Sequence, residues 1–247
     1  GDVNGYTVSY MQTSVDQFAG MSSARLSVDM GDLGLIAFDQ GSGSGLATID
    51  DKTPTAAEEI WDGLDGTKAG GLVGAAGNSG VWNYVKTMEG ITLNAAARKG
   101  SGAKNSDGSS SGAGQGAWDF ALTGSGDSMG IEGIAWGFGY GEAEAGSQAN
   151  SAGKNGDDTH ITGFVNYSFG PVTAGYQMSE INENGNNEAA ELTDAWGIAF
   201  NVNDDLSISY GERDVEYDKP SGTNVTENGE GIAVAYTMGS MKIAGNI

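Results

Sequence analysis

Six carboxylates crowd the stretch between residues 50 and 65: Asp50, Asp51, Glu58, Glu59, Asp62 and Asp65, within DQGSGSGLATIDDKTPTAAEEIWDGLDGTKAGGLVGAAGN (39–78). Carboxylates at this density form either a solvated acidic surface or, inside a water-filled pore, one charged wall that disfavours anions. Three other stretches, NSDGS (105–109), KNGDD (154–158) and NENGNNE (182–188), concentrate the oxygen ligands that calcium takes, but none has the EF-hand spacing. They read as hydrated acidic loops, with weak calcium binding as the alternative. Catalysis has less to work with. The chain has no cysteine and one histidine, His160, which sits where a polar loop meets an apolar run and backs no serine. GSGSG (41–45) does not lead into the Lys-Ser or Lys-Thr pair of a phosphate loop. The chain is therefore read as a non-enzyme without a cofactor, and His160 as a rim residue.

The charge balance narrows the partners. Asp and Glu number 33 against 11 Lys and Arg, a formal charge of -22 over 247 residues. Nucleic acid and electrostatic attachment to anionic lipid both need a basic surface, and both are excluded on that ground. The 43 glycines follow no third-residue period, which removes collagen. No apolar run reaches the length of a membrane-spanning helix, an observation that leaves a membrane β-barrel open.

The elements that must carry these residues alternate with a period of two. In HITGFVNYSFGPVTAGYQMSEI (160–181), Ile161, Val165, Tyr167 and Phe169 share one parity, and Val172, Ala174, Tyr176 and Met178 continue it beyond Phe169-Gly170-Pro171. Thr162, Phe164, Asn166, Thr173, Gly175 and Gln177 take the other parity. The same strand, short turn, strand plan recurs around Asn203-Asp204-Asp205 and Gly239-Ser240, and in weaker copies at Gly31-Asp32, at Glu89-Gly90 and between Trp118 and Tyr140. Six hairpins make twelve strands, and NGYTVSYM (4–11) supplies a thirteenth. Long polar segments, 99–116, 142–159, 179–194 and 218–231, separate the hairpins and read as mobile or solvent-facing loops.

A dozen strands in a meander must dispose of two edges, and closure into an antiparallel β-barrel does so. The second-parity residues, such as Thr92, Asn94, Thr173, Gly175, Gln177, Ser207 and Ser209, are too small and polar for a dry centre. Burying them unpaired would cost about 1 to 3 kcal/mol each, whereas a wet lumen accepts them. The fold class is thus all-β, a transmembrane antiparallel barrel, with Val165, Tyr167, Val172, Ala174 and Tyr176 facing lipid or a subunit seam and Asn166, Thr173 and Gln177 facing water. Aromatics near strand ends, Tyr6, Tyr10, Trp82, Trp118, Tyr140, Tyr176, Trp196, Tyr210 and Tyr236 among them, suit interfacial girdles. The contrasting class is a secreted or surface-layer β-rich protein with calcium-binding acidic loops, which requires a densely packed interior and a polar exterior.

Four stretches, NYSFGPVTAGYQMSEIN (166–182), GIAVAYTMGSMKIAG (231–245), LSISYGERDVEYD (206–218) and MGDLGLIAFDQGSG (30–43), with their order and spacing, resemble the general diffusion porins of the alphaproteobacterial outer membrane, the trimeric sixteen-stranded type. The resemblance implies a single barrel domain over 1–247, passive passage of small hydrophilic solutes and ions, and a homotrimer among outer-membrane lipid and lipopolysaccharide. It implies that 39–78 folds into the lumen as a constriction loop; the residues themselves permit a short helix over TPTAAEEI, with Thr53 or Thr55 as cap and Pro54 at its start. Asp50, Asp51, Glu58, Glu59, Asp62 and Asp65 would form its acidic side. Arg25, Arg98 and Arg213 have the parity for a basic side, and Lys86 joins them only by snorkelling. So few bases imply a mild preference for cations. Sixteen strands against the twelve or thirteen counted imply further strands before Gly1 and after Ile247.

Overall fold

An alternating segment gains a ladder of backbone hydrogen bonds from its neighbours while sorting its side chains to two faces, so long alternation over consecutive segments favours a meander. The computed structural model describes residues 1–14, 21–39, 45–58, 80–99, 116–143, 157–182, 190–219 and 222–247. Their strands are β1 (Asp2–Val3), β2 (Tyr6–Ser14), β3 (Met21–Asp29), β4 (Leu35–Asp39), β5 (Val81–Met88), β6 (Ile91–Arg98) and β7 (Ala117–Ser125). The series continues with β8 (Ile134–Ala143), β9 (Asp158–Phe169), β10 (Val172–Asn182), β11 (Ala190–Asn201), β12 (Leu206–Asp218), β13 (Val225–Met238) and β14 (Met241–Asn246). Each pairs antiparallel with its neighbour in sequence, giving one sheet in the order β1 to β14. No pairing joins β14 to β1 among the described residues. The architecture is all-β and of barrel type.

The strand count departs from the twelve or thirteen expected. NGYTVSYM does supply a strand, β2, but Asn4-Gly5 folds the chain back so that Asp2 and Val3 pair with Thr7 and Tyr6 as a fourteenth. Two residues are too few to display a period. Both turn residues have positive φ, 52° and 86°, as do Glu89 and Gly90 at 49° and 83°, the geometry that matches the twist of paired strands. The strands also run deeper into the polar segments than expected. β10 continues to Asn182, β11 starts at Ala190 and β13 at Val225, where hydrophobic alternation has ended but the ladder has not. No helix forms over 53–58, which is irregular; the remainder of TPTAAEEI from residue 59 lies outside the described residues.

The two faces differ as a lipid-facing sheet requires. Val165, Tyr167, Trp196, Ile198, Phe200, Ile232, Val234 and Tyr236 are all exposed on one face, at 38–53% of their surface. The other face buries small and polar groups: Ala37, Asn83, Ala96, Asp119, Thr162, Gln177, Ser209 and Arg213. This is the opposite of the polar exterior that a surface-layer protein requires. A contiguous apolar exterior of this extent is an interaction surface for something equally apolar.

The turn between β7 and β8 shows where the backbone leaves no freedom. Gly133 has φ 84°, and a Cβ there would lie 2.4 Å from the carbonyl oxygen of Ser168, which accepts no such approach. Gly239, at φ 61°, has nothing within 4 Å of the corresponding point. Gly133→Ala should lower stability by about 1 to 3 kcal/mol, and Gly239→Ala by about 1 kcal/mol from the left-handed backbone alone. Urea unfolding from lipid vesicles measures the difference.

Candidate functional site

Residues 45–58 cross the polar face of the sheet, and chain position and strand position rise together along them. The backbone N–H of Leu46 donates to Asp119 Oδ1 on β7 at 3.1 Å. A short 3-10 turn follows over Leu46–Ile49, with both of these side chains fully buried. The Cδ1 atoms of Ile49 and Leu46 come within 3.0 and 3.2 Å of where Gly139 of β8 would carry a Cβ. On β10, Gln177 Nε2 donates to the Ile49 carbonyl at 2.8 Å, and its Oε1 accepts from the Lys52 N–H at 2.6 Å. Asn166 Nδ2 on β9 donates to the Lys52 carbonyl at 2.7 Å. Ser209 Oγ on β12 then accepts from the Ala56 N–H at 2.8 Å.

Glycines leave room for this crossing. A Cβ on Gly175 of β10 would lie 2.5 Å from Pro54 Cδ, and one on Gly197 of β11 would lie 2.7 Å from the Pro54 carbonyl oxygen. These distances are below any real contact, so Pro54 occupies space that only a bare backbone concedes.

The predicted charged residues fall in several places. Arg25 pairs with Asp39 at 3.3 Å, and Asn83 Nδ2 donates to the same Asp39 Oδ2 at 3.0 Å. Arg98 at the end of β6 and Arg213 on β12 are both buried, on the same face as Asp119 and Gln177. Gln177, Ala195 and Arg213 form one cross-strand row. Lys86 takes the parity of Trp82 and Tyr84, and its ammonium donates to the Asp32 carbonyl within the Gly31–Leu33 turn. Asp50 and Asp51 stand between Ile49 and Lys52, and Glu58 is exposed. Burial, and then the adjacent Asp51 carboxylate, push the Asp50 carboxyl up to about 6. Glu59, Asp62 and Asp65 lie outside the described residues, as do the calcium-like runs apart from Asn182, Asp157 and Asp158. No three His, Cys, Asp or Glu side chains converge as metal ligands among the described residues.

Two expectations change. His160 is fully buried on β9, opposite Gly141 of β8 and Ile181 of β10, rather than exposed at a rim. Asn166 and Gln177 hold loop backbone rather than facing water, and Gln177 is buried. The sequence carried a trace of this seat in its glycine spacing, for β8 reads IAWGFGYGEA with Gly137, Gly139 and Gly141 on the polar parity. It carried no sign of which amide would meet which peptide.

A meander of this kind, apolar on one face and polar on the other, is the architecture of a membrane protein of β-barrel type. The chain belongs to the Gram-negative porin family, whose family model matches residues 4–246. It is accordingly a porin-family protein of the bacterial outer membrane and not an enzyme. The fold is similar to that of in-vitro folded OmpT, an outer membrane protein of Vibrio cholerae, with a TM-score of 0.60, 16% identity and coverage of 90% of this chain and 66% of that one. A loop L8 deletion mutant of the same protein gives 0.59, 14%, 92% and 75%. Salmonella typhi OmpF in complex with daunomycin gives 0.57, 10%, 100% and 84%. The chain thus spans just under two thirds of the OmpT chain's length. No curated protein matches it in sequence.

The glycine seat is open to direct test. Gly197→Val should push Pro54 off β11 and free the backbone on either side, so that trypsin in vesicle suspensions cuts at Lys52 roughly tenfold faster, the equivalent of losing about 1.4 kcal/mol of attachment. Gly245→Val, at a position with nothing within 4 Å, should leave cleavage unchanged.

Proposed function

We propose that this chain forms most of a general diffusion porin, a water-filled channel for passive passage of small hydrophilic solutes and ions, of the trimeric sixteen-stranded alphaproteobacterial type. In this reading the 39–78 segment is the constriction loop. The observation that carries it is the crossing of β7 to β12 by residues 45–58 on the polar face, because a surface loop has no reason to bind inward-facing polar side chains on one strand after another. Outer-membrane lipid and lipopolysaccharide would meet the apolar exterior, and two further copies of the chain would complete the trimer.

Asp50, Asp51, Glu58, Glu59, Asp62 and Asp65 make up the acidic side of the constriction, and Arg25, Arg98 and Arg213 the basic side. Arg25 has part of its charge offset by Asp39. Lys86 is left out of this field because its ammonium is held by the Asp32 carbonyl on the apolar parity. Opposed charges across water orient dipolar solutes and slow apolar ones, and the acidic excess gives cations a mild advantage.

Planar-bilayer recording tests the reading. The full-length protein should open in groups of three equal steps, deletion of residues 59–79 should enlarge each step, and the reversal potential across a salt gradient should favour potassium over chloride. Absence of conductance from folded protein, or chloride preference, would overturn it. The Asp50 shift adds a pH dependence of definite sign. A carboxyl near 6 is charged at pH 8 and neutral at pH 5, so cation preference should fall as the pH drops through 6. A unit charge about 10 Å away in water is worth about 0.4 kcal/mol, or roughly a twofold change in preference. Asp50→Asn should hold the preference at its acidic value across the whole range.

A further inference from the structure

Ile49, Asp50, Asp51 and Lys52 form a tight reversal of the loop. Asp50 has φ -65° and ψ 142°, and Asp51 has φ 40°. Extended angles at Asp50 followed by a positive φ at Asp51 are the pattern of a type II turn, whose third residue is ordinarily Gly or Asn because its φ is positive. Such a turn is commonly closed by a hydrogen bond from its fourth N–H to its first carbonyl. Here the Lys52 N–H donates instead to Gln177 Oε1, and the Ile49 carbonyl accepts from Gln177 Nε2. A wall side chain has been inserted into the closing bond of the turn. Asn166 secures the next group along, the Lys52 carbonyl.

We propose that Gln177 is a positioning residue for ion selection: its amide completes the 49–52 turn and thereby fixes where the Asp50 and Asp51 carboxylates stand relative to the wall. The proposal rests on the reading of 39–78 as the constriction loop. The task needs a group that donates and accepts at once, at opposite ends of a planar unit, on a stem long enough to reach the loop from β10. Asp119 and Ser209, which bind the loop at either end, each meet one backbone N–H as acceptors and could not replace it. Gln177 is buried, and its Nε2 also lies 3.4 Å from Thr162 Oγ1, so the amide is oriented from the wall side as well. Without it an aspartate would have to hold a left-handed backbone conformation in a turn with neither closing bond made.

Two substitutions of nearly equal size separate hydrogen bonding from packing. Gln177→Met keeps the volume and loses both bonds, so the open channel should become several times noisier and the potassium preference should decline at every pH. Gln177→Glu keeps an acceptor for Lys52 but, when ionised, has no proton for the Ile49 carbonyl. Its current should be noisy at pH 8 and grow steadier as the pH falls through the usual glutamate value of about 4.3, as the carboxylic acid that both donates and accepts replaces the carboxylate. Each variant is compared with wild type at the same pH, which removes the titration of Asp50 from the comparison. Tryptic cleavage at Lys52 in vesicles gives a readout independent of conduction and should rise roughly tenfold in Gln177→Met.

Wild-type noise, selectivity and cleavage in Gln177→Met would overturn the proposal, as would noise in Gln177→Glu that ignores pH. If the wild type conducts and deletion of 59–79 enlarges its steps while Gln177→Met matches wild type, the latch alone fails. If that deletion leaves the steps unchanged, the constriction reading fails, and the cleavage assay still decides whether Gln177 holds the turn.

Discussion

Backbone amides in a membrane have no water to bond, so each must find a partner in the protein, and a strand can do this only through its neighbours. Among the described residues the requirement is met by fourteen strands paired in strict sequence order, with side chains sorted to two faces by the pleat. The consequences follow from that sorting. Large apolar residues can stay exposed on one face because lipid rather than water meets them, and the other face, turned away from lipid, can be small, polar and charged. Only 38% of the chain needs to be apolar for this, a fraction low for a packed globule of its size. The buried apolar side chains are largely alanines, consistent with a wall one sheet thick rather than a two-layer core.

The ladder also limits how a loop can attach to the wall. Backbone groups of the inner strands are already committed to each other, so nothing is left for a crossing segment except side chains and bare spaces. Residues 45–58 use both. Asp119, Asn166, Gln177 and Ser209 supply hydrogen bonds from four strands, while Gly139, Gly175 and Gly197 let Ile49, Leu46 and Pro54 come down onto the sheet. Attachment by single side chains makes each contact separately dispensable in energy but not in position, since every one fixes a different point along the crossing. The turn at Asp50-Asp51 is the point at which position carries charge with it.

The hairpins were legible in the sequence because period two is a property of local geometry. Val165, Tyr167, Ala174 and Tyr176 read as outward residues from alternation alone, and they are exposed, while Val172 beside the turn is half-buried. What alternation cannot report is pairing that continues after the hydrophobic signal stops. Residues 190–194 and 225–231 are mostly polar, with no sustained apolar alternation, and read as loop, yet they extend β11 and β13, because hydrogen bonding between strands is indifferent to whether the side chains are wet. The loop seat was less legible still. Gln177 has the same parity as Thr173 and the same solvation preference, and only the path taken by a segment 125 residues earlier in the chain distinguishes them. His160 was misread for a related reason: a polar residue beside a loop suggests a rim when strand ends are placed too early.

Those polar strand extensions explain how so acidic a chain tolerates its own charge. On the outward parity, Asp194 stands directly opposite Asp214, and Glu212 directly opposite Glu230. Like charges so paired destabilise a sheet, and in hydrocarbon the cost would be prohibitive, so these rows must lie in water. One row further along, Ile198, Tyr210 and Ile232 are opposed, and these have the character of a lipid-facing row. Tyr210 belongs to that row by position but sends its hydroxyl to both Glu212 and Glu230 at 2.6 Å. Trp196 Nε1 likewise donates to Glu212 at 3.1 Å, and the Tyr176 hydroxyl donates to Asp194. The aromatic rings therefore do more than favour the interface by their amphipathic shape. Each anchors a carboxylate just outside the apolar zone, and the Tyr210 hydroxyl sets a neutral donor between two like charges, so the boundary between lipid and water is drawn by specific hydrogen bonds across β10 to β13.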